Sequence, residues 1–215
     1  MKKITLLKSI LVILFSIPLV SVAADRVGDF SLLDQAGYYH SMSWYDDHES
    51  IALLVQANDS QELASVLPEF MTLKAKYDSL GVQFMMINPQ GELNRQAVSE
   101  RVAEYDVEIP VLMDDARVIS EALGIARIAD VVLYNPKTFM VDYRGHISGA
   151  RAALDEILAG ESVSSPAVAG MGEAVIYEAV AAPSYASDIA PILAENCATC
   201  HREGGIAPFA MDSHT

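Results

Sequence analysis

Cysteine is nearly absent from this chain. The 215 residues include two cysteines, and both lie near the C-terminus, at positions 197 and 200. Thiol chemistry requires a cysteine thiolate, so no thiol reaction is available to any earlier part of the sequence. By sequence, the pair Cys197 and Cys200 is therefore the only redox-capable site.

Basic residues are also scarce. Fourteen lysines and arginines stand against 29 aspartates and glutamates, which gives a formal net charge of -15. A field of this sign repels phosphate backbones and anionic lipid, so nucleic acid is not an expected partner. The apolar content of 52% is enough for a packed core. The length fits one domain or two.

A long apolar run occurs once, at the start of the chain. Three lysines within the first eight residues precede the apolar stretch 10–20 and the small residues 21–24. This order predicts a signal peptide over 1–24, followed by export to the periplasm. The alternative is an uncleaved anchor, but the run is shorter than the roughly 20 residues that span a bilayer. We therefore expect no membrane span in the mature chain.

The sequence from 26 to 158 alternates strand-like and helix-like segments. Strands are predicted at 30–34, 38–40, 51–56, 82–87, 109–113, 131–134 and 139–143, and helices at 61–80, 92–105, 117–123 and 150–158. Nearly continuous apolar strands such as 51–56 are typical of a sheet covered on both faces. The pattern predicts an α/β domain with a central mixed sheet and flanking helices.

Three stretches carry a resemblance to a known family. They are 27–34 (VGDFSLLD), Trp44-Tyr45 and 56–60 (QANDS), and they resemble the peroxiredoxin and thiol-specific antioxidant superfamily. The resemblance covers 27–158 and implies a thioredoxin-like fold. In that family a cysteine at the turn after the central strand performs the chemistry, because the helix N-terminus lowers its pKa.

Both parts of the family's thiol site are missing here. The turn reads Asn58-Asp59-Ser60-Gln61, and the loop that usually holds a cis-proline reads Ile128-Ala129-Asp130. We expect a redox-silent scaffold in which Ser60 or Asp59 caps the helix. A polar group consists of His40, His48, Asp46, Asp47 and Glu49. We interpret it as a solvated loop, because its spacing matches no metal-ligand pattern.

Further side chains of this domain are expected either in the core or at the surface. His146 is predicted to lie at the surface. The residues expected in the core or at its edge are Trp44, Tyr45, Phe70, Phe84, Met85 and Met86.

Composition changes after residue 158. Glycine, serine, alanine, proline and valine dominate 159–172, so 159–182 is predicted to be a linker. The segment 173–181 (EAVIYEAVA) within it is a possible edge strand. The remainder, 183–215, forms a separate module.

The motif of this module is Cys197-Ala198-Thr199-Cys200-His201. Cys-x-x-Cys-His is typical of c-type haem attachment, because two thiols one helical turn apart can form thioethers with the two porphyrin vinyl groups. Asp188 is the expected N-cap of a short helix that carries both cysteines on one face. His201 is then the axial ligand of the haem iron.

The sequence 188–201 resembles the opening helix of a class I cytochrome c. The resemblance implies that the Pro208 carbonyl accepts a hydrogen bond from the His201 imidazole. The longer string to Met211 resembles exported proteins in which a thioredoxin-like domain precedes a haem segment and a copper-dependent, ascorbate-linked monooxygenase-like domain can follow. Copper is therefore expected only in a domain absent from this chain. Met211 is a weak candidate for the sixth iron ligand, and 183–215 is expected to be the truncated start of a haem domain.

Three functions are consistent with these residues. The first is an exported electron-transfer protein with covalent haem c, serving an unidentified periplasmic electron donor or acceptor. The second is a thiol-disulfide oxidoreductase or antioxidant-type redoxin that uses Cys197 and Cys200. The third is a non-catalytic binding module in which the two cysteines form an ordinary disulfide. The motif, its preceding helix and the leader together favour the first.

Overall fold

The fold was analysed in a computed structural model, which describes residues 26–90, 95–177 and 184–211. The chain divides into two compact units, one up to Val175 and one from Ile176 onward. The predicted signal peptide, 1–24, lies outside the described residues. Among the helices that are described, none combines the length and apolar character needed to cross a membrane.

A six-stranded mixed sheet forms the centre of the first unit, and a separate two-stranded hairpin precedes it. The strands are β1 Ser31–Leu33, β2 Tyr39–Ser41, β3 Ser50–Val55, β4 Val82–Asn88, β5 Val111–Met113, β6 Val131–Asn135, β7 Met140–Gly145 and β8 Ala167–Val168. The helices are α1 Gln61–Tyr77, α2 Arg95–Glu104, α3 Val118–Ala122 and α4 Ile147–Leu158. This architecture confirms the predicted α/β class.

The order of strands across the sheet is β5-β4-β3-β6-β7-β8. Strands β3, β4 and β5 run parallel, whereas β6 is antiparallel to both β3 and β7. Every residue of β3 is buried, as the apolar run predicted. Ala52 and Leu54 belong to the core on one face, and Ile51 and Leu53 belong to the core on the other. Covering both faces removes all of this apolar surface from water.

Helix α1 starts immediately beyond the carboxyl end of β3 and packs its apolar stripe onto the sheet. The stripe repeats every three or four residues, as the periodicity predicted. After Tyr77 a short 3-10 turn, Asp78–Leu80, leads to Gly81, whose φ of 91° is the left-handed conformation that ends helices. The buried residues of the helix are Leu63, Val66, Leu67, Phe70, Leu73 and Tyr77.

Two expectations about the first unit need correction. Trp44 is 63% exposed, because it lies in the 3-10 turn Met42–Tyr45, of which Met42 is the buried residue. Helix α4 starts at Ile147, three residues earlier than predicted, because the half-buried His146 caps it by accepting from the Ser148 amide. The remaining core predictions hold for Phe70, Phe84 and the two methionines of β4.

The edge strand also differs from the expected one. It is β8, within the stretch predicted to be irregular, and it runs parallel to β7. The described part of the expected strand 173–181 makes an isolated bridge between Ala174 and Arg127 instead. Gly145 explains the position of β8, since a Cβ there would collide with the Val168 carbonyl.

The second unit contains a wide helical turn, Tyr185–Ile189, that continues into the short helix α5, Ala190–Asn196. Asp188 lies within the wide turn, where its carboxylate accepts from the Ser184 amide at 2.7 Å, so it is not the N-cap of α5. The expectation that both cysteines lie on this helix is also wrong. Cys197 caps its end, and Cys200 follows in a turn. Asparagine and threonine are poor helix formers, which accounts for the end at Asn196.

Candidate functional site

Ser60 occupies the position at which the resembled family carries its reactive thiol. It lies between β3 and α1 and is 4% exposed. Its hydroxyl accepts a hydrogen bond from the Leu63 amide at 3.1 Å. This geometry confirms the predicted N-cap. Asp59 is exposed and lies 3.5 Å from the Arg101 guanidinium.

Four asparagine and glutamine residues beside the same turn form a closed ring of hydrogen bonds, two donated by side chains and two donated by backbone amides. Asn88 donates to Gln56 Oε1 at 2.7 Å, and Gln56 donates to Asn58 Oδ1 at 2.8 Å. The Asn58 backbone amide donates to Gln90 Oε1 at 3.2 Å, and the Gln90 backbone amide donates to Asn88 Oδ1 at 2.8 Å. We call these four residues the amide ring.

The amide ring joins the carboxyl ends of β3 and β4, where ligands of parallel sheets commonly bind. Gln56 and Asn88 are almost completely buried, at 1% and 2% exposed. Carboxamides do not titrate at ordinary pH, and the side-chain oxygen of each of the four accepts a hydrogen bond within the ring. The ring therefore stabilises this end of the sheet and supplies neither a nucleophile nor a general base. Sequence reasoning missed it, because Gln56 and Asn88 are 32 residues apart.

The loop Ile128-Ala129-Asp130 lies beside β3, as the family resemblance implies. Ala129 donates from its amide to the Val55 carbonyl at 2.9 Å, and the Val55 amide donates to the Asp130 carbonyl at the same distance. Ala129 has a φ of 65°, the left-handed conformation that costs energy for a residue with a Cβ. The loop is thus held in place by backbone pairing with β3.

Asp130 is a titratable residue that sequence reasoning did not single out. Its side chain is 7% exposed, and burial raises its pKa to about 6, against the opposing charges of Arg127 and His146. It lines a cavity of about 310 Å³ next to β7 and β8. The only signal for Asp130 in the sequence was its position, directly before a strongly apolar strand. The cavity is lined by Gly124, Ile125, Ala126, Arg127, Asp130, Val132, Arg144, Gly145 and 167–170.

His40 and His48 do not share a site. The His40 ring bonds to the Asp34 carboxylate at 3.0 Å and to the Tyr45 hydroxyl at 2.7 Å. His48 bonds to its neighbour Asp47 at 2.6 Å. Within the described residues no group of three or more such side chains could hold a metal ion. Asp46, Asp47 and Glu49 are exposed, as expected for a solvated acidic loop, whereas His40, with its side chain 13% exposed, belongs to a more buried cluster.

The second unit brings the predicted haem residues together. Cys197 is half-buried, Cys200 is exposed, and neither is in a disulfide. Phe209 supplies the carbonyl that bonds to His201 Nδ1, at 3.0 Å, which corrects the prediction for Pro208 by one residue. The Met211 amide donates to the His201 carbonyl at 2.8 Å. The segment that follows the motif therefore folds back onto His201.

The Phe209 ring reinforces this arrangement. Its centroid lies 4.5 Å from the centroid of the His201 imidazole. The bond to the Phe209 carbonyl places a proton on Nδ1 of the neutral ring, because a carbonyl can only accept. The other ring nitrogen, Nε2, then carries the lone pair. A histidine prepared in this way can act as a metal ligand through Nε2.

The fold of the first unit is that of a thioredoxin-like protein. A hypothetical protein from Sinorhizobium meliloti 1021 matches with 21% identity and a TM-score of 0.64, over 73% of this chain and 95% of that one. An uncharacterized conserved protein from Geobacillus kaustophilus matches with 19% identity and a TM-score of 0.64, over 74% and 93%. A putative thiol:disulfide interchange protein DsbE from Chlorobium tepidum matches with 18% identity and a TM-score of 0.52, over 64% and 95%.

The family follows from the sequence itself. Residues 23–150, more than half of the chain, match the model of the AhpC/TSA family, and the chain belongs to that family. No match was found among curated proteins. The first unit is thus a redoxin domain, a class associated with thiol-disulfide exchange and peroxide reduction. In this member a serine and the amide ring occupy the place where the family carries its thiol.

Proposed function

We propose that this chain is an exported electron-transfer protein with a c-type haem covalently attached to Cys197 and Cys200. The redoxin domain serves as a scaffold without a thiol of its own. The observation that carries the proposal is the hydrogen bond of 3.0 Å from His201 Nδ1 to the Phe209 carbonyl, directly after a Cys-x-x-Cys pair. It leaves Nε2 as the nitrogen available to iron.

The residues of the second unit fit a haem group. Both thiols are free of a disulfide and so are available to form thioethers. Ile206 and Phe209, which are 94% and 60% exposed, present apolar surface of the kind that a porphyrin covers. When bound, the haem iron supplies a centre that accepts and donates single electrons. Met211 stays a prediction as the sixth ligand.

The proposal gives a separate role to the two cysteines, to His201 and to the Phe209 carbonyl. Cys197 and Cys200 hold the group, and His201 orients its ring through the Phe209 carbonyl. That bond also makes Nε2 a better donor, because the carbonyl stabilises positive charge on the imidazole. The net charge of -15 favours a redox partner with a basic docking surface, which we place in the periplasm with the exported chain.

The test is coexpression of the full chain with a cytochrome c maturation system. The expected product is coloured and retains haem after denaturing electrophoresis. Cys197→Ser and Cys200→Ser each remove one attachment point, and the double variant is expected to retain none. His201→Ala leaves both thiols and is expected to change the visible spectrum. A colourless wild-type chain with two titratable thiols would refute the proposal.

A second function is favoured by the exposure of Cys200. An accessible thiol beside a second cysteine can exchange with disulfides, which would make the second unit a thiol-disulfide oxidoreductase. This function predicts that the colourless chain reduces a disulfide or peroxide substrate. Cys200→Ser would abolish that activity, whereas the haem proposal predicts no thiol-dependent turnover in the haem-loaded chain.

A further inference from the structure

A buried chain of hydrogen bonds links an acid, a base and a phenol in the first unit. Asp34 follows β1, His40 is in β2, and Tyr45 ends the 3-10 turn after β2. His40 Nε2 lies 3.0 Å from Asp34 Oδ2, and His40 Nδ1 lies 2.7 Å from the Tyr45 hydroxyl. Asp34 is 5% exposed and the His40 side chain 13%, while Tyr45 is half-buried.

The partners fix the direction of each bond. Asp34 Oδ1 accepts from the backbone amides of Ala36 and Tyr38, both at 2.9 Å. A carboxylate can only accept, so His40 Nε2 carries the proton that faces it. The lone pair on Nδ1 of the neutral ring then faces Tyr45, whose hydroxyl donates to it. The separation of 2.7 Å lies within the range of a general base and its substrate proton.

We propose that Tyr45 is a redox-active tyrosine whose one-electron oxidation is coupled to proton transfer to His40. The O–H bond of the phenol breaks, and its proton forms a new N–H bond at His40 Nδ1. The electron passes to an oxidising radical in solution, such as a peroxyl radical, which is reduced to its anion. The products are a neutral tyrosyl radical and an imidazolium ion beside the Asp34 carboxylate. Return of one electron from a reductant reverses the step and restores the O–H bond.

The surroundings favour this coupled step over stepwise loss of the proton. Burial, and secondarily the charge of Asp34, raise the pKa of the Tyr45 phenol above its ordinary value. The phenol therefore stays protonated until it is oxidised. Oxidation without a base would leave a positively charged phenol in a half-buried position, which is costly. His40 accepts the proton, and Asp34 offsets the charge that appears on the imidazole.

Other groups close to the phenol do not compete for its proton. The nearest additional ionisable ring is His48, whose centroid lies 6.0 Å from that of Tyr45 and whose Nδ1 is bonded to Asp47. The next residue, Trp44, is 63% exposed, and its ring packs against Tyr39 at 5.2 Å. The rings of Trp44 and Tyr39 are oxidisable aromatic side chains at the surface near Tyr45. An oxidant in solution can reach them there.

The proposal is tested on the full chain carrying Cys197→Ser and Cys200→Ser, so that neither haem nor thiols contribute. Photogenerated ruthenium(III) tris-bipyridine is the oxidant, and transient absorption with electron paramagnetic resonance detects tyrosyl radical. Exposed phenols lose their proton to the buffer, so their oxidation accelerates with buffer base. Tyr45 uses His40, so a phase independent of buffer concentration is expected.

Three variants identify that phase. Tyr45→Phe preserves the ring packing and is expected to eliminate the phase. His40→Gln keeps a hydrogen-bonding side chain without a base and is expected to slow the phase about tenfold or more. Tyr185→Phe removes an exposed phenol of the second unit and is the control, expected to leave the phase unchanged. Circular dichroism establishes that each variant is folded.

Persistence of the buffer-independent phase in Tyr45→Phe would overturn the proposal, as would an unchanged rate in folded His40→Gln. If His40→Gln does not fold, the solvent isotope effect replaces it. A slower phase in D₂O is expected, and an equal rate in H₂O and D₂O would refute the coupling. Because the tested chain has no cysteine, these results do not depend on whether the haem proposal holds.

Discussion

Replacing Asp130 with asparagine should stabilise the first unit, and the gain should depend on pH. The carboxyl group is 7% exposed, and burial raises its pKa from the ordinary 3.8 to about 6. Keeping this group ionised in the folded state therefore costs free energy. The difference between the two pKa values corresponds to about 3 kcal/mol when the pH is well above both. Asparagine has nearly the same shape and carries no charge, so it avoids that cost.

The direction in which stability changes with pH follows from how tightly Asp130 binds its proton in the folded and unfolded chains. Between pH 3.8 and about 6 the folded chain binds the proton on Asp130 more tightly than the unfolded chain does. The contribution of Asp130 to stability therefore falls as the pH rises through this window, and the cost is complete above it. The gain from Asp130→Asn is expected to be near zero below the window and about 2 to 3 kcal/mol above it.

Urea denaturation of wild type and variant, at one pH below the window and one above it, measures this difference. Trp44 is the only tryptophan of the chain and belongs to the first unit, so its fluorescence reports on the unfolding of that unit. The exposed Asp46 provides the control, since Asp46→Asn should give the same small change at both pH values. An equal effect of Asp130→Asn at both pH values would refute the argument from burial.

Two further predictions concern the end of β3. Ser60→Ala removes the cap on the Leu63 amide and is expected to lower the free energy of unfolding by about 1 kcal/mol, whereas Asp59→Ala should change it by less. Asn88→Ala leaves the buried Gln56 Oε1 without its donor and is expected to cost about 1 to 3 kcal/mol. Urea denaturation measures both, and values near zero would contradict the assigned hydrogen bonds.

The sequence was sufficient to predict the core and the class of fold. The apolar run 51–56 and the three-and-four spacing of α1 are local patterns, and both were confirmed as buried elements. Ser60 or Asp59 was predicted as the cap for the same reason, because capping joins a residue to an amide two or three positions away, and the structure selects Ser60. Element ends were less accurate, as the early start of α4 at Ile147 illustrates.

The features that were missed depend on residues distant in the sequence. The amide ring needs Gln56 and Asn88 on neighbouring strands, and no local pattern specifies that pairing. Strand β8 forms because Gly145 admits the Val168 carbonyl, which is visible only once the two segments meet. Trp44 is a local exception: it is exposed because its own turn buries Met42 instead, although an aromatic residue is commonly found inside.

The amide ring also bears on how redox chemistry is distributed in this chain. A serine in place of a cysteine would by itself be a small change at an otherwise intact thiol site. Here the side-chain oxygen of each ring residue accepts a hydrogen bond from another ring residue, and Gln56 and Asn88 are almost fully buried. A thiol introduced at position 60 would therefore lie beside carboxamides, which do not act as a general base. The redox functions proposed for this chain therefore rest on Cys197, Cys200 and Tyr45, which lie outside the position that the family uses.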